Sequence, residues 1–245
     1  MQFSINIVTV DRSERGARNY LGQTLRSMAD SGLFGRDNFT LDIWDSGSLN
    51  PAWIAVAARS AEGGMRSERI GVHIPERRLT QNENFARALR GGAERHGAGH
   101  NPDFVVLCED DIEVSGRWLE RMEAWLNLYF DGHKMATFYT PYVEVEEVLR
   151  STGSGTEPRL GAWPYPVEKF YGACCFAVRP ETARGLADTL ERRAESAHEA
   201  DLWMKKYFRE GDIVAAVPSL AQHIGDESGI QPAGAPKRRG FGFLP

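Results

Sequence analysis

The sequence predicts a single α/β domain, Rossmann-like, with a mainly parallel central sheet flanked by helices. Three observations carry this expectation. Apolar, strand-length runs alternate repeatedly with amphipathic, helix-length segments through the first half of the 245 residues, the pattern of strand, crossover helix and parallel strand. The runs end in carboxylates at Asp11, at Asp45 and at Glu109-Asp110-Asp111. Acids at several strand ends suit an open α/β sheet, where ligands bind beyond the carboxyl ends of the strands. A composition of 42% hydrophobic and 26% charged residues is enough for one substantial core.

Taken in order, residues 3–10 read as an apolar-rich strand, followed by the polar turn Asp11-Arg12-Ser13-Glu14-Arg15-Gly16. Leu21, Leu25, Met28 and Ala29 then share one helical face, and Ser31-Gly32 with Gly35 stops the helix. A second strand over 39–44 ends at Asp45-Ser46-Gly47-Ser48. Asn50-Pro51 opens the next helix with a capping side chain and a proline in its first turn. A third strand covers 69–74, and Thr80 caps a helix that turns Phe85, Ala88 and Leu89 inward. The fourth strand is the apolar run before Glu109. Ser115 is the expected cap of a helix whose stripe of Trp118, Met122, Trp125, Leu126 and Tyr129 reads as core.

The second half is less regular. A strand is expected over 135–143, and 144–168 reads as a long irregular loop, rich in glycine, serine and proline. Residues 170–178 form a buried strand entered through the small residues Gly172 and Ala173, where a ligand could approach the backbone. Pro180 starts one helix and the stretch around His198-Glu199-Ala200-Asp201 another, with acids in its first turn. A last strand over 213–217 delivers a segment containing Gln222-His223-Ile224-Gly225. The expected division is one domain over 1–230, with 1–114 and 115–230 as its halves, and a basic Gly/Pro-rich tail over 231–245.

Bulk properties narrow the function. A net charge of −5 argues against a protein that coats polyanions. The first residues carry no basic segment leading into an apolar core, and no apolar run approaches the roughly 18 residues of a membrane span, so the expectation is a soluble, cytoplasmic protein. The three cysteines, Cys108, Cys174 and Cys175, lie in apolar runs and suggest neither a disulfide framework nor a zinc site.

The chemistry concentrates at residues 104–114. An apolar strand that ends in three consecutive acids is a poor way to build only a core, because neighbouring carboxylates repel and lose hydration together. Nearby cations or a divalent ion offset that cost. Oxygen ligands of this kind suit Mg²⁺ or Mn²⁺ carried with substrate phosphates.

These pieces together resemble the nucleotide-sugar glycosyltransferases of the GT-A fold, and among them the inverting family-two and branching N-acetylglucosaminyltransferase-like enzymes. Asp45-Ser46-Gly47-Ser48 is similar to the family's acidic strand end, Asn82-Glu83-Asn84 to its donor-side helix, and Glu109-Asp110-Asp111 to its DXD motif. Gln222-His223-Ile224-Gly225 resembles its C-terminal metal-histidine segment. The resemblance implies a single GT-A domain, with Asp111 and His223 as ligands of Mn²⁺ or Mg²⁺. Glu109 and Asp110 would orient the ribose and the metal-bound waters, and Thr9, Asp11, Asp45 and Asn82 would line the donor pocket. Asp201 or Glu199 would be the catalytic base. Trp163 and Tyr165 would serve as lid and sugar-stacking surface, with Gly172 and Ala173 on the acceptor side. The implied donor is UDP-glucose or UDP-N-acetylglucosamine, and the acceptor a hydroxyl of a saccharide, a protein or a hydroxylated DNA base. The turn Val10-Asp11-Arg12 departs from the family's proline-containing turn. Two other readings use the same residues: a metal-dependent phosphoryl transferase or hydrolase, and a non-catalytic nucleotide-sugar-binding module.

Overall fold

The structure, a computed structural model, describes residues 1–12, 19–61, 70–95, 101–140, 161–170, 173–195, 200–225, 240 and 242–243. The first half alternates as the periodicity predicts: β1 (Phe3–Thr9), α1 (Leu21–Asp30), β2 (Phe39–Asp45), α2 (Ala52–Ala61), β3 (Ile70–His73), α3 (Gln81–Glu94) and β4 (Phe104–Glu109). Then come β5 (Ile112–Val114), α4 (Trp118–Tyr129), β6 (Met135–Thr137), β7 (Gly161–Pro164) and β8 (Cys175–Val178). The helices α5 (Pro180–Glu191) and α6 (Ala200–Tyr207) precede β9 (Ile213–Val217) and β10 (Ala221–His223).

Eight strands form one sheet in the order β3-β2-β1-β4-β8-β6-β9-β7. The pairs β3/β2, β2/β1, β1/β4 and β6/β9 are parallel. Among the described residues only β8 and β7 run against their neighbours, so the sheet is mainly parallel as expected. Chain order turns back between β1 and β4: successive strands step outward from β1 to β3, and β4 returns to the other side of β1. Such a switch point opens a crevice beyond the strand ends, because the flanking helices diverge there onto opposite faces.

Each face of the sheet has its own core. Ile5, Ile7, Ile43 and Val106 pack with Leu25, Met28, Trp118 and Trp125 on one side. Val8, Trp44, Val105, Leu107 and Phe176 pack with Phe85, Leu89, Leu186 and Trp203 on the other. Apolar side chains on both faces explain why β4 and β8 read as continuous apolar runs, whereas β1 and β2 carry Ser4, Asn6 and Asp42 between their apolar residues. Helix α3 is started by Thr80, which accepts from Glu83 N–H while the Glu83 carboxylate accepts from Thr80 N–H. It then lies against the sheet through Gly91 and Gly92. A Cβ on Gly91 would sit 2.3 Å from the Trp44 ring, and one on Gly92 2.5 Å from Asn6 Nδ2 and 2.8 Å from Val105 Cγ1.

Four expectations change. Ser115 is buried and does not cap α4; the N-cap is Arg117, in the left-handed region at φ 54°. Ser115 N–H instead donates to the Leu220 carbonyl, tying the segment after β5 to the one before β10. Of the strand expected over 135–143, Met135–Thr137 forms, and 141–143 lie outside the described residues. The buried strand expected over 170–178 begins only at Cys175. The irregular loop expected over 144–168 is ordered in its last part: 161–164 pair with β9, and Val167–Lys169 make a 3₁₀ turn. Pro164 is tolerated there because β7 is an edge strand and needs its donors on one side only. Residues 144–160 lie outside the described part.

Gly92→Ala should lower the unfolding free energy by about 1–3 kcal/mol in urea denaturation, because the added methyl drives α3 off the sheet at Asn6 and Val105.

Candidate active site

The site is built where β1 and β4 end side by side. Parallel register sets Val8 opposite Glu109, so the residues that follow each strand meet. Thr9 Oγ1 donates to Asp110 Oδ2 in a short hydrogen bond. The chain then reverses through Asp110 and Asp111 into β5. Thr24, from α1, holds this turn: its Oγ1 lies 2.7 Å from the carbonyls of both Asp110 and Ile112 and accepts from Ile112 N–H.

The antiparallel pair β5/β10 brings in the second component. Its register sets His223 opposite Ile112, and Ile224 N–H donates to the Asp111 carbonyl at 2.8 Å. His223 Nε2 thereby comes to 3.3 Å from Asp111 Oδ2. Gly225 makes the approach possible, since a Cβ there would sit 2.4 Å from Asp111 Oδ2 and 3.0 Å from His223 Cε1.

Asp201, in the first turn of α6, accepts from Ala173 N–H at 3.0 Å. It lies close enough to the cluster for its charge to act on Glu109 and Cys174. Cys174 neighbours Glu109 through a bond from Glu109 N–H to the Cys174 carbonyl at 2.9 Å. Ligand atoms of Glu109, Cys174 and His223 all lie within 4.8 Å of one another.

Arg12 was not foreseen as a site residue, and it is central. Its Nη1 contacts Asp110 Oδ1 at 2.7 Å and Oδ2 at 2.8 Å, and its Nη2 reaches Asp111 Oδ2 at 3.2 Å. Cys174 lies in an apolar run of the sequence, which hides that its thiol reaches this cluster. The nearest signal for Arg12 was its place directly after Asp11 in the first strand-to-helix turn, facing acids that need a cation.

Electrostatics separates the carboxylates. Loss of hydration, followed by the Asp111 charge, pushes the Glu109 carboxyl up to about 7, with Asp201 adding and His223 opposing. Burial likewise raises Asp110 to about 6 against the pull of Arg12. Burial also works against ionisation of Asp111, but hydrogen bonding and charge from His223, with Arg12, outweigh it and hold Asp111 below the usual range. His223 is raised for the reciprocal reason: burial opposes its charge, and Asp111 and then Glu109 overcome that. Burial, then Glu109, Asp111 and Asp201, keep the Cys174 thiol protonated.

A divalent cation fits these residues. Asp111 Oδ1 is buried and has no hydrogen-bond partner, an expensive condition for a carboxylate oxygen that a metal ion relieves. Glu109 and His223 share their group with the Cys174 thiol, and Asp111 Oδ2 lies 3.3 Å from His223 Nε2; apart from the thiol these donors suit Mn²⁺ or Mg²⁺.

The other expected site residues divide. Asp11 joins the rim, its Oδ1 accepting from Asn19 Nδ2 and its N–H donating to Ser48 Oγ. Asp45 is fully buried and closes its own turn, accepting from Gly47 N–H, Ser48 N–H and Ser48 Oγ. Asn82 is buried between helices, its amide donating to the Arg193 carbonyl. Asn84 instead supports the β2 end, donating to the Trp44 carbonyl and to Ser46 Oγ. Tyr165, 1% exposed, packs edge-on against Phe170 in the core and offers no lid surface; its neighbour Trp163 is half-buried on edge strand β7. Gly172 and Glu199 lie outside the described residues.

No protein-family model matches the sequence. No curated protein matches it either. Solved structures do match in fold. Residues 1–349 of S. aureus TarS in complex with UDP align with a TM-score of 0.53 at 14% identity, over 88% of this chain and 57% of that one. The same protein in complex with UDP-GlcNAc gives 0.50 at 15% identity, over 88% and 56%. The mannosyltransferase PcManGT from Pyrobaculum calidifontis, in complex with GDP-Man and Mn²⁺, gives 0.54 at 14% identity, over 87% and 56%. The chain thus has the GT-A fold of nucleotide-sugar glycosyltransferases, and it spans somewhat more than half the length of the structures it matches. Among the described residues no helix is long and apolar enough to cross a membrane.

The raised carboxyl groups set the pH dependence of stability. Folded Glu109 holds its proton above the ordinary 4.5, up to about 7, where the unfolded chain has already released it. Stability of the metal-free protein should therefore fall as pH rises through that window, and the raised His223 acts in the same direction. Urea denaturation in EDTA should show Glu109→Gln losing less stability than wild type between about pH 5 and about pH 7.5.

Proposed function

We propose that this protein is a metal-dependent, inverting glycosyltransferase that moves a hexose from a nucleotide-sugar donor to an acceptor hydroxyl. One observation carries the reading: Asp111, with a buried and unpartnered Oδ1, meets His223 at the topological switch point of a GT-A sheet. An oxygen-rich cation site at that point suits the diphosphate of a nucleotide sugar, whose leaving group carries the charge that builds during transfer. Bound at Asp111 and His223, Mn²⁺ or Mg²⁺ would supply Lewis-acid stabilisation of the departing nucleoside diphosphate.

The remaining roles belong to the chain itself. Glu109 and Asp110 would orient the donor ribose and water near the cation, and Thr9 and Asp11 would border the nucleotide. Asp45 and Asn84 would support that border by holding the β2 turn in shape. Asp201, at the mouth of α6, is the base we favour over Glu199. Its carboxylate would take the proton from the acceptor hydroxyl as that oxygen bonds to the anomeric carbon and the bond to the diphosphate oxygen breaks. A single displacement of this kind inverts the anomeric configuration. The half-buried Trp163 is left as the aromatic candidate for a sugar contact.

The donor we favour is UDP-glucose or UDP-N-acetylglucosamine, supported by the UDP and UDP-GlcNAc complexes of a structurally similar protein. GDP-mannose is the second choice, from the mannosyltransferase complex. A saccharide or protein hydroxyl is favoured as acceptor over a hydroxylated DNA base because the chain is acidic overall. A phosphoryl-transfer enzyme or a binding module would use the same carboxylates, and the assays below separate them.

Isothermal titration of UDP-glucose, UDP-N-acetylglucosamine and GDP-mannose should give heat with one of them in Mn²⁺ and none in EDTA, and Asp111→Ala should lose the signal. Binding of none, or binding indifferent to metal and to Asp111, removes the glycosyltransferase reading. With the donor known, Asp201→Asn should leave donor affinity near wild type and lower kcat of sugar transfer by about 10²–10⁴-fold. Undiminished transfer would acquit Asp201 and turn attention to Glu199, whereas nucleotide cleavage with no sugar requirement would favour phosphoryl chemistry.

A further inference from the structure

We propose that Arg12 is a resident counter-cation which competes with the metal for Asp110 and Asp111, so that tight metal binding is coupled to the arrival of an anionic donor. The inference rests on the reading of Asp111 and His223 as a metal site and adds to it a residue and an order of events.

The geometry is that of a cation already installed. Nη1 of Arg12 is within 2.8 Å of both oxygens of Asp110, and Nη2 approaches Asp111 Oδ2 at 3.2 Å. That Oδ2 is the same oxygen His223 approaches, which leaves Oδ1 as the only Asp111 oxygen without a partner. The residue is anchored beside the acids as well. Its backbone N–H donates to Asn19 Oδ1 at 2.8 Å, and its guanidinium lies 5.7 Å from the Tyr20 ring centroid. With its side chain 17% exposed, it is screened only weakly by solvent.

Two consequences follow from charge alone. A dication at Asp111 would sit beside a fixed positive charge, in a partly desolvated place where like charges repel far more than in water. Asp110, with both oxygens occupied, has none to spare. A nucleoside diphosphate changes this balance because its oxygens suit the planar fork of a guanidinium as well as a carboxylate does. Donor arrival gives Arg12 a second set of anionic partners and frees the carboxylates for the cation. An arginine suits this exchange better than a lysine, since its fork spans two acceptors at once.

The test reads Mn²⁺ binding directly, by electron paramagnetic resonance of the free ion, with no sugar donor or acceptor present. Arg12→Gln should bind Mn²⁺ about tenfold more tightly than wild type or better, since one adjacent positive charge is gone. Arg12→Lys, which keeps the charge but loses the fork, should fall between the two. Adding UDP, or GDP in a parallel series, should tighten Mn²⁺ binding more in wild type than in Arg12→Gln.

Equal or weaker Mn²⁺ binding by a folded Arg12→Gln overturns the inference. Equal tightening by nucleotide in both proteins does so too. If Arg12→Gln fails to fold, as judged by thermal melting, Arg12→Lys decides alone: affinity at or below wild type overturns the inference. These failures leave the glycosyltransferase reading standing as long as a nucleotide sugar binds wild type with Mn²⁺. Absence of Mn²⁺ binding by every form would overturn both.

Discussion

Three carboxylates in succession at the end of β4 are the constraint on which the rest of the site depends. Each would be costly at a desolvated strand end, and the structure meets the cost differently for each residue. Asp110 is neutralised by the fork of Arg12 and by the Thr9 hydroxyl. Asp111 shares one oxygen between Arg12 and His223 and keeps the other without a partner. Glu109, at the rim, has no ion pair with Arg or Lys among the described residues and holds its proton, up to about 7. Adjacent residues of like chemistry are thereby given unlike charge states, which a plain solvated acidic turn does not achieve.

The scaffold exists largely to hold that turn still. Asp110 and Asp111 lie between β4, in the large sheet, and β5, in the small one, so the turn is gripped from both. Thr24 reaches across from α1 to its backbone, and Ile224 ties it to β10. Gly225 has its place because no side chain fits between Asp111 and His223. Just before β8, Ala173 N–H holds Asp201 of α6, whose charge is felt by Glu109. On the proposed function, a fixed anionic turn with Asp201 as base is what an in-line displacement at a sugar carbon would ask of this chain, since positioning and prearranged charge supply most of the acceleration.

Several local features were readable from residue types alone. Thr80 was legible as a helix cap, and it caps α3 in a box completed by Glu83. Asp45 was legible as a strand-end acid, and only the folded turn reveals that Ser48 and Gly47 donate to its oxygens. Asn82 and Asn84 are indistinguishable as letters in a helix. A two-residue step turns one toward the Arg193 carbonyl and the other toward β2. Tyr165 looked like a loop aromatic because proline and glycine surround it, yet pairing of 161–164 with β9 draws it into the core.

By itself the sequence determined the alternating α/β architecture, the parallel first half of the sheet and the acids at its strand ends. These follow from periodicity and from local charge, which neighbouring residues carry with them. Only the tertiary structure decided which cation meets which acid. Arg12 and His223 stand about 100 residues on either side of Asp110 and Asp111, and nothing local links them. Their meeting depends on the return of β4 beside β1 and on the antiparallel register of β10 against β5. Such contacts are set by the burial of two large apolar faces, a cooperative property of the whole chain that no short motif encodes.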